Sequence, residues 1–323
     1  MLTVDDILGL NIELSSQCGA SCPFCSRNQK IRPYGAHLIT LADFKKLPPA
    51  LLQNLHWVTF SGNFGDLSTN HETVDIVSYL KSINPGVRLQ GNSNGTVQCE
   101  DWWASLGDLF RDGSMVFGVD GLEDTNSIHR RGTDFRRIIR NMKAFTDAGG
   151  IAYWQFILFK HNEHQVDAAA EMASKAGCTR FFVLTSRDYD ETCQPPETVD
   201  VPVKRQILHS YGDKAIGRRE FARCKPLYNG SLYIAADGTV YPCCLAHCMY
   251  ITEHNAAFDY IVPLIRMYHD EINFKTNPLS EIIHSEYFNM IFKRSRDNPY
   301  CIMKCNRYKK EVSKELLIRD IWL

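Results

Sequence analysis

The sequence lacks the features of a membrane protein and of an exported one. No apolar run among its 323 residues approaches the roughly 18 residues that a membrane span requires. The amino-terminal stretch MLTVDDILGL is acidic and has no basic segment, so it does not resemble a signal peptide. A cytoplasmic location without a membrane partner is therefore the expectation.

The sequence also lacks a charge excess, internal repeats and low-complexity segments. The formal net charge is −1, which gives no reason to expect a polyanionic partner for the whole chain. The hydrophobic fraction of 44% is ordinary for a globular protein. The length suits one large α/β domain with a small appendage, or two medium domains.

Cysteine, in contrast, is plentiful and unevenly placed. The twelve cysteines include two clusters and a closing pair, at positions 18–25, 224–248, 301 and 305. They are too few for a disulfide scaffold of this length. Without an export signal, such clustering indicates metal or iron–sulfur ligation. The remaining Cys99, Cys178 and Cys193 fit ordinary buried or loop positions.

Short apolar runs alternate with helix-like segments over the first 185 residues. The runs are nearly continuous in apolar character, which is typical of strands buried on both faces. The predicted strands are Ile12–Ser15, Trp57–Phe60, Val87–Gln90, Met115–Val119, Tyr153–Phe159 and Arg180–Leu184. The predicted helices between them are Leu41–Leu52, Glu72–Ile83, Asp134–Ala148 and His164–Ala176. Six β-α units in series predict a parallel sheet, closed as a partial barrel, with its ligand at the carboxyl ends of the strands.

The alternation of apolar runs with helix-like segments ends after residue 185. A linker with a helix near Val203–Tyr211 precedes a predicted hairpin, Ser231–Ala235 with Thr239–Tyr241. Further helices are predicted near Phe258–His269, Leu279–Arg294 and Tyr308–Ile321. The predicted fold class is α/β: a partial (β/α)6 barrel over residues 1–195, then a small α+β domain over residues 196–323.

The first cysteine cluster, Cys18-Gly-Ala-Ser-Cys22-Pro-Phe-Cys25, directly follows the first predicted strand. Iron–sulfur clusters are held by thiolates and normally have four ligands. Three thiolates would leave one iron with an open coordination position, where chemistry can occur. The alternatives are a structural zinc site, which needs a fourth ligand, and three unrelated buried cysteines.

This Cys-x3-Cys-x2-Cys motif, with Phe24 before its last cysteine, resembles the signature of the radical S-adenosylmethionine superfamily. The resemblance implies a partial (β/α)6 barrel, in agreement with the strand count. It also implies a 4Fe–4S cluster on Cys18, Cys22 and Cys25, whose unique iron binds S-adenosylmethionine. In this superfamily an electron from the cluster cleaves that cofactor to a 5′-deoxyadenosyl radical, while the protein positions the cofactor and excludes water.

Further segments that follow predicted strands are similar to the cofactor-binding segments of this superfamily. Phe60-Ser-Gly-Asn-Phe-Gly-Asp66 resembles a glycine-rich segment whose terminal acid binds the cofactor amino group. Asp120, which precedes a glycine, resembles the acid near the ribose of the cofactor. Arg131 resembles the arginine that pairs with the cofactor carboxylate. The implied cofactor contacts are Phe24, Gly62, Gly65, Asp66, Ser93, Asn94, Asp120 and Arg131. Plain βα turns and a solvated basic helix start are the alternatives.

The second cysteine group spans the predicted hairpin. Its spacing, Cys224-x13-Gly238-x4-Cys243, resembles the entry of SPASM and twitch domains, and Cys301-x3-Cys305 resembles their closing pair. The resemblance implies an auxiliary 4Fe–4S cluster on these four cysteines. Because only Cys244 and Cys248 remain nearby, the single-cluster twitch type is favoured. A zinc site, or replacement of one ligand by Cys244 or Cys248, is the alternative.

The resemblance implies an enzyme that abstracts hydrogen from a small-molecule or peptide substrate, leading to oxidation or a cross-link. An electron donor such as flavodoxin or ferredoxin is implied as a partner, and no catalytic residue is predicted. The first strand begins near residue 11, without a leader-binding domain before it, which favours a small substrate or a peptide maturase with a separate leader-binding partner.

Two further classes of function stay open. Basic residues within 217–225 and near the carboxyl terminus permit an RNA-modifying enzyme, but the neutral chain without an added RNA-binding module argues against one. A non-enzymatic iron–sulfur scaffold is the third class. It would leave the cofactor-lining segments without a purpose.

Overall fold

The computed structural model describes residues 3–29, 34–199, 224–252, 261–296, 298, 301, 302, 305 and 317–322. The chain separates into two compact units. The first comprises Met1–Gln17, Gln29–Leu89 and Ala215–Lys309, and the second comprises Cys18–Asn28, Gln90–Lys214 and Lys310–Leu323. The domain boundary between residues 195 and 196 stays a prediction.

The described residues form strands and α-helices in chain order. The strands are β1 (Gly9–Ile12), β2 (Trp57–Phe60), β3 (Arg88–Ser93), β4 (Ser114–Gly118), β5 (Ile151–Leu158), β6 (Arg180–Thr185), β7 (Ser231–Ile234), β8 (Val240–Tyr241) and β9 (Leu317–Trp322). The helices before residue 200 are α1 (Leu41–Phe44), α2 (Pro49–Asn54), α3 (Thr73–Ile83), α4 (Glu100–Leu109), α5 (Asn126–His129), α6 (Phe135–Asp147) and α7 (Val166–Lys175). The later helices are α8 (Lys225–Asn229), α9 (Cys244–Thr252), α10 (Val262–Tyr268), α11 (Leu279–His284) and α12 (Glu286–Arg296).

In the first unit, β1 lies between two parallel neighbours, β2 and β7. The short β8 pairs with β7 in the antiparallel sense, as the predicted hairpin requires. Leu10 and Ile12 of β1 are fully buried, which fits a strand with a neighbour on each side. The amide of Glu13 extends the contact with β7 by donating to the Ile234 carbonyl at 2.9 Å.

In the second unit, the last residues of β3 pair with β4, β4 pairs with β5, and β5 pairs with β6, all in parallel. Crossover helices join these strands, as parallel pairing demands. Asp134 starts α6 by accepting the Arg137 amide at 3.1 Å. The α6 residues Ile138, Met142 and Phe145 form its buried stripe.

The predicted α/β fold with a parallel sheet is confirmed, and five of the six predicted barrel strands closely match observed ones. The first, predicted at Ile12–Ser15, is observed earlier in the chain at Gly9–Ile12 and shares only Ile12 with the prediction. The burial of the strands differs from the expectation of strands covered on both faces. Half-buried and buried residues alternate along all eight residues of β5, and exposed and buried residues alternate along β3. The apolar runs therefore overstate how completely the second face is covered.

The helix predictions need several corrections. The single helix predicted at Leu41–Leu52 is two helices, because Pro48 and Pro49 cannot continue α1. The helix predicted over Leu279–Arg294 is interrupted at Ser285. Helices α4, α5, α8 and α9 were not predicted. Two tryptophans and a glycine mask the helical pattern of α4.

The predicted carboxyl-terminal helix Tyr308–Ile321 is wrong for residues 317–321. These residues belong to β9, which pairs antiparallel with β6. A strand there completes the hydrogen bonds of β6, and this tertiary requirement outweighs local helix propensity. Residues 308–316, and the helix predicted at Val203–Tyr211, lie outside the described residues.

Candidate functional site

The first cysteine loop lies in the second unit, where its backbone is held by residues that follow it. The Cys25 amide donates to the Cys22 carbonyl at 3.2 Å. Asn28 Nδ2 donates to the same carbonyl at 2.7 Å. Arg27 donates to the carbonyls of Cys18 and Ala20. These two side chains were not predicted, although a polar pair two residues after the last cysteine is a signal for them.

Hydrogen-bond donors also approach the sulfur atoms of the loop. Cys18 Sγ accepts from the Ala20 amide at 3.4 Å and from Asn94 Nδ2 at 3.3 Å. Burial raises the pKa of the Cys22 thiol, and the Arg130 guanidinium that hydrogen-bonds to it opposes this shift. Donors of this kind stabilise a thiolate and tune the potential of a bound cluster.

The predicted cofactor residue Asp120 is fully buried behind this loop. Its Oδ2 lies 2.6 Å from His129 Nδ1 and accepts from Arg130 Nε at 2.5 Å. Its Oδ1 accepts from the Ile157 amide at 2.7 Å. Burial raises the pKa of Asp120, but Arg130 and His129 outweigh it and bring the pKa to about 2. Asp120 is therefore a buried anion that holds Arg130 beside Cys22.

The side chain of Arg131, unlike that of Arg130, is not paired with Asp120. Its side chain is exposed, and its Nε lies 3.4 Å from the carbonyl of Ile128. Its own carbonyl accepts the Ser21 amide of the cysteine loop at 2.8 Å. The role of Arg131 at the cofactor carboxylate stays a prediction. The arginine directed at the cysteine loop is its neighbour Arg130, which was not predicted.

Phe24 packs among aromatic side chains of the second unit. Its ring centroid lies 6.0 Å from that of His129 in a stacked arrangement and 6.4 Å from that of Phe159. The ring centroids of His129 and Phe159 are 4.8 Å apart. The stack ties the cysteine loop to the residues that follow β4 and β5, at the carboxyl ends of these strands.

The segment after β3 forms a tight turn beside the same loop. Ser93 Oγ accepts the Gly95 amide at 3.0 Å, and Asn94 Oδ1 accepts the Thr96 amide at 3.0 Å. These bonds fix the Asn94 side chain with its amide nitrogen toward Cys18. The structure thus brings Phe24, Asn94 and the three cysteines of the loop together.

The glycine-rich turn 62–66 lies in the first unit, packed against the segment after β1. A Cβ at Gly62 would collide with the Glu13 carboxylate, and one at Gly65 would collide with the Ser15 carbonyl oxygen. Both positions therefore require glycine for close approach. The third predicted residue, Asp66, is buried, and its Oδ1 accepts from the Ser68 amide at 2.9 Å.

Glu13 organises this turn and was not predicted. Its Oε1 accepts the amides of Phe64 and Gly65 at 2.8 and 2.9 Å. Its Oε2 accepts from the Tyr233 hydroxyl at 3.2 Å and lies 3.7 Å from His247 Nδ1. Burial raises the pKa of Glu13 to about 7. An acidic residue within an apolar strand sequence is the signal that could have revealed it.

The predicted auxiliary ligands meet in one cavity of the first unit, lined by Cys224, Cys243, Cys301, Cys305 and mostly apolar residues. Cys244 and Cys248 do not line it and lie one turn apart on α9. Burial raises the pKa of Cys224 to about 11 and that of Cys301 to about 12, and neighbouring thiols add to both shifts. Four soft donors in an apolar cavity fit an iron–sulfur cluster.

Among the described residues, no three histidine, cysteine, aspartate or glutamate side chains are already arranged to hold a metal ion. The fit of both sites to a cluster therefore rests on the donor chemistry and on the shared loop and cavity. Ligand assignments at both sites stay predictions.

These features are those of an α/β protein with two cysteine sites, one in each unit. A family model described as the radical SAM superfamily matches residues 12–183, more than half of the chain. The chain belongs to the radical SAM superfamily. A second model, SPASM, described as an iron–sulfur cluster-binding domain, matches residues 224–307. The predicted cofactors, 4Fe–4S clusters and S-adenosylmethionine, are confirmed at this level.

Solved structures share the fold. Streptococcus suis SuiB bound to S-adenosylmethionine has a TM-score of 0.50 and 15% identity, covering 78% of this chain and 61% of SuiB. SuiB bound to the precursor peptide SuiA gives 0.50 and 15%, covering 86% and 67%. The enzyme anSMEcpe with bound AdoMet and Cp18Cys peptide gives 0.54 and 14%, covering 95% and 87%. At these identities the likeness concerns the fold.

No curated protein matches this chain in sequence. In the described part of the chain, no helix is long and apolar enough to cross a membrane.

Proposed function

We propose that this radical SAM enzyme abstracts hydrogen from a C–H bond of a peptide or small molecule and thereby oxidises or cross-links it. The observation that carries the proposal is the pairing of an open three-cysteine loop with a separate four-cysteine cavity. When bound at the loop, the reduced cluster supplies the electron that cleaves S-adenosylmethionine to methionine and the 5′-deoxyadenosyl radical.

The chain's own residues prepare the first site. Arg27 and Asn28 hold the loop carbonyls, while Asn94 and Arg130 direct N–H groups at the sulfur atoms of Cys18 and Cys22. These donors offset the negative charge that three thiolates concentrate in a partly buried loop. Asp120 keeps Arg130 in place, so the donor is available before a cluster binds.

The auxiliary site supports an oxidative outcome. A substrate radical becomes a closed-shell product when it loses one further electron and a proton. Four cysteines line the auxiliary cavity, so a cluster bound there has no open iron for a substrate. We therefore assign it the role of electron acceptor rather than of substrate-binding site.

A peptide substrate is the better supported class. SuiB was solved with the precursor peptide SuiA, and anSMEcpe was solved with the Cp18Cys peptide. Both have the fold of this chain. A small metabolite is the rival, and labelled substrates of each class separate the two.

The test starts with cofactor cleavage. The reduced enzyme with S-adenosylmethionine should release 5′-deoxyadenosine, and Cys18→Ala, Cys22→Ala or Cys25→Ala should each reduce the rate to background. Cys99→Ala is the matched control because Cys99 is exposed and outside both cysteine sites, so it should retain the wild-type rate. Wild-type rates in all three loop variants would contradict the proposal.

The second stage tests hydrogen abstraction. A substrate deuterated at the reactive carbon should transfer deuterium to 5′-deoxyadenosine, as detected by mass spectrometry. Turnover without any deuterium in 5′-deoxyadenosine would exclude hydrogen abstraction and leave radical addition or methyl transfer.

A further inference from the structure

One polar side chain other than the thiols lies in the cysteine cavity. Of the described side chains that line this cavity, all except the four cysteines and Ser295 belong to aliphatic residues, proline or methionine. Ser295 is part of α12 and is 5% exposed. A hydroxyl group that is removed from water costs free energy unless it is hydrogen-bonded. Ser295 therefore needs a partner inside the protein.

The pattern of α12 favours an apolar residue at position 295. Tyr287, Phe288 and Ile291 are the other buried residues of this helix, and together with Ser295 they form one helical face. Ile291 lies one turn before Ser295 and lines the same cavity. An apolar side chain at position 295 would continue this face without the cost of a buried hydroxyl. Packing alone thus does not account for the serine.

The partner of the Ser295 hydroxyl is Cys301. Burial raises the pKa of the Cys301 thiol to about 12, and the hydrogen bond that Ser295 donates opposes this shift. Asn298 holds both residues in place, because its backbone amide donates to the Ser295 carbonyl at 3.4 Å and its Oδ1 accepts the Cys301 amide at 3.2 Å. Asn298 is itself buried. The serine hydroxyl is therefore fixed beside Cys301 before a cluster binds.

The hydrogen bonds to two other cavity thiols come from the backbone. Burial raises the pKa of Cys224 and of Cys243, and hydrogen bonds from the backbone of Leu227 and Ala246 oppose these shifts. A backbone donor is present whatever side chain its residue carries. Among the described lining residues, Ser295 is thus the only side chain besides the thiols that can donate a hydrogen bond.

We propose that Ser295 is a positioning residue of the auxiliary site, whose hydroxyl donates to the Cys301 thiolate and raises the reduction potential of the cluster bound there. Reduction adds negative charge to a cluster and its sulfur ligands, and a hydrogen bond to a ligand sulfur stabilises this charge. A higher potential makes the site a better acceptor of the electron from a substrate radical. The inference rests on the auxiliary site of the proposed function, but its test needs neither substrate nor S-adenosylmethionine.

The test uses the full chain with Cys18→Ala, Cys22→Ala and Cys25→Ala, so that the auxiliary site alone binds a cluster. A redox titration monitored by electron paramagnetic resonance measures the midpoint potential of this parent. Adding Ser295→Ala should favour the oxidised cluster by about threefold to tenfold, which lowers the midpoint potential by roughly 30–60 mV for one electron. Ser295→Thr keeps the hydroxyl and should restore most of the difference.

Ser285→Ala is the matched control for the loss of a serine hydroxyl. Ser285 lies in the same unit, its Oγ donates to the Ile282 carbonyl at 2.6 Å, and it does not line the cavity. The midpoint potential of this variant should equal that of the parent. All variants should retain the iron content of the parent, because the four thiolates are unchanged.

Electron–nuclear double resonance of the reduced cluster provides a second measurement. The Ser295 hydroxyl should give a coupled proton that exchanges in D2O, present in the parent and in Ser295→Thr and missing from Ser295→Ala. A midpoint potential of Ser295→Ala equal to that of the parent, or a parent without this proton, would overturn the proposal. A parent that binds no iron would refute the auxiliary site itself and the proposal with it.

Discussion

Replacing Glu13 by glutamine should make the protein more stable than the wild type at pH 8 and leave the glycine-rich turn intact. The glutamine carbonyl can accept the Phe64 and Gly65 amides as Glu13 Oε1 does. Its amide nitrogen would face the Tyr233 hydroxyl and His247 Nδ1, which can both accept a hydrogen bond. Glutamine therefore reproduces the geometry of the protonated acid without its ability to ionise.

The expected effect follows from the surroundings of the carboxyl group. Glu13 is 1% exposed and faces Tyr233 of β7, His247 of α9, and the more distant Asp237. Burial lowers the pKa of His247 to about 3, so this imidazole is neutral and does not offset a Glu13 anion. Burial raises the pKa of Glu13 from 4.5 to about 7, so ionisation is costly in the folded state.

The sign follows from proton linkage. The folded-state pKa is raised, so the contribution of Glu13 to the stability of the wild type is fully present below pH 4.5 and is lost as the pH rises to about 7. The loss is about 1.4 kcal/mol per pH unit, which amounts to about 2 kcal/mol between pH 5.5 and pH 8. Glu13→Gln should not show this loss.

Urea unfolding of the full chain, followed by circular dichroism under anaerobic conditions, measures this difference. The free energy of unfolding of Glu13→Gln minus that of the wild type should increase by about 2 kcal/mol from pH 5.5 to pH 8. Because Glu13→Gln is compared with the wild type at each pH, the contributions of the other titrating groups cancel. A difference that is constant across this range would refute the reasoning, because Glu13 would then have the same pKa in the folded and unfolded chains.

Two further predictions concern the two cysteine sites. Cys224→Ala or Cys305→Ala should each lose about half of the iron after reconstitution, as measured by elemental analysis, while cofactor cleavage is retained and substrate turnover is lost. Zinc in place of iron at the second site would contradict this expectation. Asp120→Asn should lower the free energy of unfolding by about 3 kcal/mol, because it leaves the largely buried Arg130 charge without its carboxylate partner. The exposed pair made by Asp108 is the control, and Asp108→Asn should cost less than about 1 kcal/mol in the same urea assay.

The cysteine motifs and the parallel strands were recognisable because each signal is local. Cys18, Cys22 and Cys25 lie within eight residues, and each barrel strand is a short apolar run. Glu13 was not predictable as the organiser of the turn, since its partners Phe64 and Tyr233 are 51 and 220 residues away. No short stretch of the sequence contains Glu13 together with these partners. Only the pairing of β1 with β2 and β7 brings them together.

Arg130 and Arg131 show a second limit of predicting site residues from a sequence motif. A motif identifies an arginine near this position, but adjacent residues point in different directions on a chain leaving a helix. Arg130 follows α5 and turns inward to the fully buried Asp120, whereas Arg131 is exposed. The choice between them depends on a buried acid ten residues earlier. The strand β9 is a similar case, because its pairing with β6 overrides its local pattern.

The glycine-rich turn and the auxiliary site are physically connected, which affects how their variants are interpreted. Asn63, inside the turn, donates through Nδ2 to the Cys244 carbonyl at 2.8 Å, and Cys244 directly follows the cavity residue Cys243. A substitution at Cys243 can therefore disturb the turn through the start of α9, even if the two clusters act separately. No hydrogen bond between Cys305 and the turn occurs among the described residues. Loss of cofactor cleavage in Cys243→Ala but not in Cys305→Ala would then reflect this backbone connection rather than a requirement of the first cluster for the second.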